Sequence, residues 1–148
     1  MRSIEQSIEI EAPVERVWDV LTTTQLIRHW GSAFLPGIRA ESDWKPGSGV
    51  FWRREDGKLA IIGTIAEIEP CSRLKVAYPP GLNTEVPDPE TDFVETYTLE
   101  TTDEGVKLTV CCGPLHLVDM DTMEPKWNEA LSAIKDLAEQ GSVKASAA

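Results

Sequence analysis

Cysteine, histidine and basic residues are all scarce in this chain. The three cysteines among 148 residues (Cys71, Cys111 and Cys112) are odd in number and scattered, so no disulfide framework is expected. His29 and His116 are the two histidines. Neither has a second histidine at ligand spacing, and no Cys-x-x-Cys is present, so a zinc site is not expected. Asp119 and Asp121 lack the rest of a calcium loop. Lysine and arginine total 14 against 25 acids, a net charge of −11. Arg53–Arg54 is the single basic pair, and Glu55–Asp56 follow at once. Nucleic-acid binding generally needs a clustered basic face, so no such partner is expected. No run of 18 apolar residues exists to span a membrane. Charges every few residues in MRSIEQSIEIEAP exclude the apolar core of a secretory signal, and a cytoplasmic protein is expected. Gly-x-Ser-x-Gly, a plausible Ser–His–Asp set, Gly-x-Gly-x-x-Gly and a phosphate loop are all missing. Neither nucleophilic hydrolysis nor nucleotide binding is indicated.

What the chain does have is apolar periodicity. Between Lys126 and Gln140, apolar residues fall at Trp127, Ala130, Leu131, Ile134, Leu137 and Ala138, one stripe at the helical period. Pro125 suits the first turn of such a helix, Asp121 or Thr122 would cap it, and Gly141 would end it. This stripe must lie on something made earlier in the chain, and most of that is strand. Ser3 to Glu11 alternates, with Ile4, Ile8 and Ile10 on one face. Pro13 opens a helix carrying Val14, Val17, Trp18 and Leu21; three threonines interrupt, and a short helix from Gln25 to Trp30 follows with Thr24 as its cap. Six strands come next: 38–44, 50–54, 59–69, 73–78, 93–101 and 106–112, joined by turns such as Asp56-Gly57. The segment 79–92, rich in proline and acid, is long for a loop in a compact domain and reads as a lid or flap. Residues 113–121 connect the last strand to the final helix. One α+β domain over 1–141 is expected, with 142–148 a disordered tail that has little to bury.

That order, together with particular words in it, resembles the START-like helix-grip (SRPBCC) superfamily. Within it the chain looks most like homologues of the activator of the heat-shock protein 90 ATPase. The matching words are IEAPVERVWDVLT (10–22), LIRHW (26–30), GTIAEIEPCSRLKVAY (63–78), ETYTLETTDEGVKLTV (95–110) and the late Trp127 with LSAIKDL (131–137). The resemblance implies a curved antiparallel sheet of about seven strands wrapped around a long C-terminal helix, with two short helices after the first strand. It also implies a cavity between sheet and C-terminal helix. Members bind lipids, steroids, polyketides or plant hormones, cyclise or dehydrate such compounds, or bind the chaperone, and the fold does not choose among these. Relatives of one domain are often dimers, so a homodimer is an expected arrangement. The chaperone role in the family's namesakes also involves another domain.

The residues themselves name a site. On 93–101, one face holds Phe93, Glu95, Tyr97 and Leu99, the better candidate to look inward. Glu95 then sits among apolar and aromatic neighbours, at a place where the related pattern usually has an apolar residue. A carboxyl there is desolvated and its pKa raised, which suits a general acid or a ligand anchor; at the sheet edge it would instead be solvated or paired with an arginine. Trp30, Phe34, Trp44, Phe51, Trp52, Tyr78 and Trp127, with Tyr97 and Leu131, either line an apolar ligand site or fill the core. Met120 and Met123, with Leu115 and Leu117, either form an adaptable rim or pack the loop onto the sheet. His116 lies where the cavity mouth is expected. The reading is binding of a small hydrophobic or amphipathic ligand. The alternatives are acid–base catalysis by Glu95, needing no cofactor, and a chaperone-activating interaction.

Overall fold

The computed structural model describes residues 2–34, 36–78, 93–115 and 117–147. Its elements are β1 (Arg2–Ile10), α1 (Val14–Thr22), α2 (Thr24–Gly31), β2 (Arg39–Glu41), β3 (Gly49–Arg53), β4 (Leu59–Glu69), β5 (Arg73–Tyr78), β6 (Phe93–Thr101), β7 (Val106–Leu115) and α3 (Leu117–Ala147). The strands form one antiparallel sheet in the order β1-β7-β6-β5-β4-β3-β2, so the first strand pairs with the last. This is the α+β helix-grip arrangement.

Alternation decides which face of each strand turns inward. Across five strands the register aligns Ile4 with Cys112, Cys112 with Glu95, Glu95 with Val76, and Val76 with Ile65. Four of these are buried apolar side chains or thiols; Glu95 is the one ionisable carboxyl in the row. The next row sets Val110 beside Tyr97 and Tyr97 beside Leu74, all buried. Cys111 and Cys112 face opposite sides of β7, so Cys112 is buried and Cys111 is not.

The stripe on α3 meets that inner face. Trp127, Ala130, Leu131, Ile134 and Ala138 are buried, with Ala133 and Leu137 packed at its margin. The same helix covers β1, whose outer edge would otherwise offer unpaired backbone groups. Lys135 Nζ donates to the Glu9 carbonyl (2.9 Å), the Glu11 N–H donates to Glu139 Oε2 (2.9 Å), and Gln6 Nε2 donates to the Glu124 carbonyl (3.3 Å). Arg16 on α1 donates to the Leu137 carbonyl (2.9 Å), fixing α1 against α3.

Four local expectations are corrected. First, α3 begins at Leu117 and not near Lys126, so 113–121 is not a loop and Pro125 lies inside the helix. Proline forfeits one backbone bond there, a local cost that the buried stripe from Trp127 to Ala138 outweighs. Second, Gly141 does not stop α3, which runs to Ala147. A helical glycine costs about 1 kcal/mol against alanine, and no proline follows to force an end. Third, Thr24 does not cap α2. Thr23 occupies that place without a side-chain bond, and the Thr24 hydroxyl donates instead to the Ala40 carbonyl (3.0 Å), tying α2 to β2. Fourth, β2 ends at Glu41, because the chain turns before Trp44, whose φ of 54° is outside any strand.

Candidate functional site

The concave side of the sheet holds a void of about 10 Å³, close to the smallest space that admits one water. Leu21 of α1, Ile27 and Trp30 of α2, Trp44 of the β2–β3 connection, Val50 and Trp52 of β3, Leu74, Val76 and Tyr78 of β5, and Glu95 and Tyr97 of β6 line it. Among the described residues none of these comes from α3. This void therefore lies against α1 and α2. The reason is how the aromatic rings are shared out. Trp127 packs edge-on against Phe34 (centroids 4.8 Å apart) and Tyr97 (6.0 Å), which closes the α3 side.

A chain of hydrogen bonds runs through the lining. Trp52 Nε1 donates to the Tyr78 hydroxyl (2.9 Å), and that hydroxyl donates to Glu95 Oε1 (3.0 Å). The Tyr97 hydroxyl reaches the same Oε1 at 3.4 Å. Trp30 stands edge-on to Trp52 at 6.5 Å, with its own N–H donated to the Val20 carbonyl (2.9 Å). Glu95 as a whole residue is half-buried, but its carboxyl sits deep enough that burial controls its acidity. Burial raises the Glu95 pKa to about 7, against the opposing pull of the Tyr78 and Tyr97 hydroxyls. Burial, followed by the charge of Glu95, pushes both tyrosines well above their ordinary range. Burial and the same charge push the Cys112 thiol up to about 12, while the Trp127 N–H acts the other way.

Trp30, Trp44, Trp52, Tyr78, Tyr97 and Glu95 are thus brought to one place. Phe34, Trp127, Leu131 and Met123 are not; they belong to or pack against the hydrophobic core under α3. Phe51 points outward and is 38% exposed. Leu35, His116 and the segment 79–92 lie outside the described residues, as do the side chains of Phe93, Leu115, Leu117 and Met120. Leu21, Ile27, Val50, Leu74 and Val76 line the void without being among the site residues expected from sequence. The signal that they share a site is the common alternation of Leu74, Val76 and Tyr78 on β5 and of Val50 and Trp52 on β3, two strands with β4 between them. Among the described residues no group of His, Cys, Asp and Glu is arranged to hold a metal ion, and no helix is long and apolar enough to cross a membrane.

Gly63 on β4 is what lets Tyr78 reach Glu95. A Cβ there would stand 2.6 Å from Tyr78 Cε1 and 2.9 Å from Val76 Cγ1. Gly63→Ala is therefore expected to push the ring off Glu95 and to cost about 1–3 kcal/mol. Urea unfolding reads the cost, and a shift of tryptophan emission reads the loss of the Trp52 contact.

The model of the family described as Activator of Hsp90 ATPase homolog 1-like protein matches residues 11–139. Solved structures share the fold. A protein of Cytophaga hutchinsonii is 27% identical, covering 95% of this chain and 96% of that one, with a TM-score of 0.74. The Aha1 dimer from Colwellia psychrerythraea is 18% identical over 94% of this chain and 97% of that one, also at 0.74. A Mesorhizobium loti protein is 18% identical over 94% and 98%, again at 0.74. At their identities the last two speak for the fold alone. No protein of curated function matches the chain significantly.

Proposed function

The chain belongs to the Activator of Hsp90 ATPase homolog 1-like protein family, and we propose that it binds a small amphipathic molecule on the concave side of its sheet, with Glu95 as the polar anchor. The observation that carries this is the carboxyl itself. An ionisable group set in a row of buried apolar side chains, held by two phenols and ringed by three tryptophans, works against stability unless something uses it. The void of about 10 Å³ holds no organic molecule as it stands, so an occupant must displace a lining side chain. Trp44 is the candidate. It is half-buried, belongs to a connection and not to a strand, and has a φ of 54°, a left-handed conformation that is strained for a bulky residue.

Native mass spectrometry of protein purified without denaturation tests the proposal. The expected result is a small mass that disappears on denaturation, or a complex on adding amphipathic compounds that also shifts tryptophan emission. Identical native and denatured masses, with no emission change across such a panel, would count against it. The same spectrum counts subunits, which matters because the Colwellia relative is a dimer.

A second reading has its own support: a carboxyl with a pKa of about 7 is poised to give and take a proton near neutrality. On that reading the bound compound is a substrate, and the reaction is a proton transfer, cyclisation or dehydration. Glu95→Gln keeps the shape of the site but cannot exchange a proton, so turnover of a neutral substrate would be lost while its binding persisted. The chaperone contact in the family's description is a third reading; no feature of the described surface favours it over the interior site.

A further inference from the structure

The donors and acceptors around the void are unevenly spent. Trp30 Nε1 is committed to the Val20 carbonyl, Trp52 Nε1 to Tyr78, and the Tyr78 and Tyr97 hydroxyls to Glu95. Both phenols converge on Oε1. Among the described residues no donor reaches Oε2, and no lysine, arginine or histidine lines the void. A ligand that brings an acceptor, such as a carboxylate or a ketone, finds its prospective donors already engaged, apart from the indole of half-buried Trp44. A ligand that brings an N–H donor finds a free carboxylate oxygen. The rings of Trp30, Trp52, Tyr78 and Tyr97 line the same void, and the negative face of an aromatic ring attracts a cation. The net charge of −11 adds a long-range bias of the same sign.

Resting on the site proposed above, we infer that its ligand is an organic ammonium ion: a protonated primary amine on a short apolar body. The nitrogen donates to Glu95 Oε2, and the body takes the place of the Trp44 ring against Trp30 and Trp52. Two consequences follow. An anionic amphiphile of the same size is rejected, because it meets Glu95 with no compensating cation. Binding also favours the ionised carboxyl, so affinity rises with pH as Glu95 loses its proton. The titratable groups facing Glu95 are Tyr78 of β5, Tyr97 of β6 and Cys112 of β7. All three are raised, so they stay neutral while Glu95 titrates. From α1 and α2 the lining is Leu21, Ile27 and Trp30, which carry no charge.

The test is isothermal titration of the full chain with hexylammonium, hexanol and hexanoate, at pH 8 and pH 5.5. Hexylammonium keeps its proton throughout this range, as a lysine does. The expected result at pH 8 is hexylammonium about tenfold or more tighter than hexanol, with hexanoate weakest. Hexylammonium affinity should fall about fivefold or more at pH 5.5, and Glu95→Gln should bring it to the level of hexanol. Hexanol binding as tightly as hexylammonium would overturn the ammonium assignment and leave the amphipathic site standing. So would hexylammonium binding that ignores both pH and Glu95→Gln. If none of the three probes binds, both the assignment and the site fall. Should the Gln variant not fold, the pH series on the wild-type chain decides alone.

Discussion

Glu95→Gln is expected to stabilise the folded protein by about 2–3 kcal/mol at pH 8 and to change it little at pH 5. The folded carboxyl has a pKa of about 7, against an ordinary value of 4.5. Between those two values the folded state keeps a proton that the unfolded state has released. Stability from this group therefore falls as pH rises through the interval, and the loss is complete above the folded value. Below the ordinary value both states are protonated and the group contributes nothing to the slope. At about 1.4 kcal/mol per unit the shift corresponds to roughly 3 kcal/mol, trimmed because Glu95 is only half-buried as a residue. Glutamine keeps an oxygen for Tyr78 and Tyr97 and carries no charge at any pH. Urea unfolding of both proteins at the two pH values isolates the effect, since every other carboxylate cancels in the difference. A Gln variant less stable than wild type at pH 8 would mean that Glu95 has a compensating partner.

Trp127→Ala is expected to be the most damaging single truncation, costing about 3–5 kcal/mol and lowering Tm by about 8–15 °C. Trp127 is 1% exposed and is the largest side chain in the fully buried set. It joins three parts of the molecule: α3, the sheet through Tyr97, and the segment after α2 through Phe34. Removing it leaves a cavity that backbone elements pinned by β1–α3 hydrogen bonds cannot close. Trp127→Phe should cost much less. Its indole N–H is buried without a satisfying partner and turns only toward the Cys112 thiol, a weak acceptor. Thermal unfolding of the two variants separates the ring from the N–H. Similar large losses in both would show that the N–H has a partner of real strength.

Much of the architecture was legible in the sequence because two periodicities dominate it. The three-and-four spacing on α3 and the two-residue alternation on β1, β5 and β6 each commit one face to burial, and those faces can meet in few ways. Helix ends were less legible. Pro125 and Gly141 are weak local signals, and the packing of the helix outweighed them. Glu95 was visible as a carboxyl on the inward face of β6. Its link to Tyr78 was not, because it depends on register: Val76 stands opposite Glu95, and Tyr78 reaches it from the diagonal position, over Gly63. The position of the void was hidden for a different reason. Spacing marks which side chains turn inward, not how five large rings divide one concave face.

The central claim is that a desolvated carboxyl at Glu95 forms the polar centre of a binding site. Carbon-13 NMR of the glutamate side-chain carboxyls, with Glu95 assigned through Glu95→Gln, follows its titration directly. The account predicts a midpoint near 7 and a downward shift on adding hexylammonium. A midpoint near the ordinary 4.5, unchanged by any ligand, would place the carboxyl in water and contradict the account.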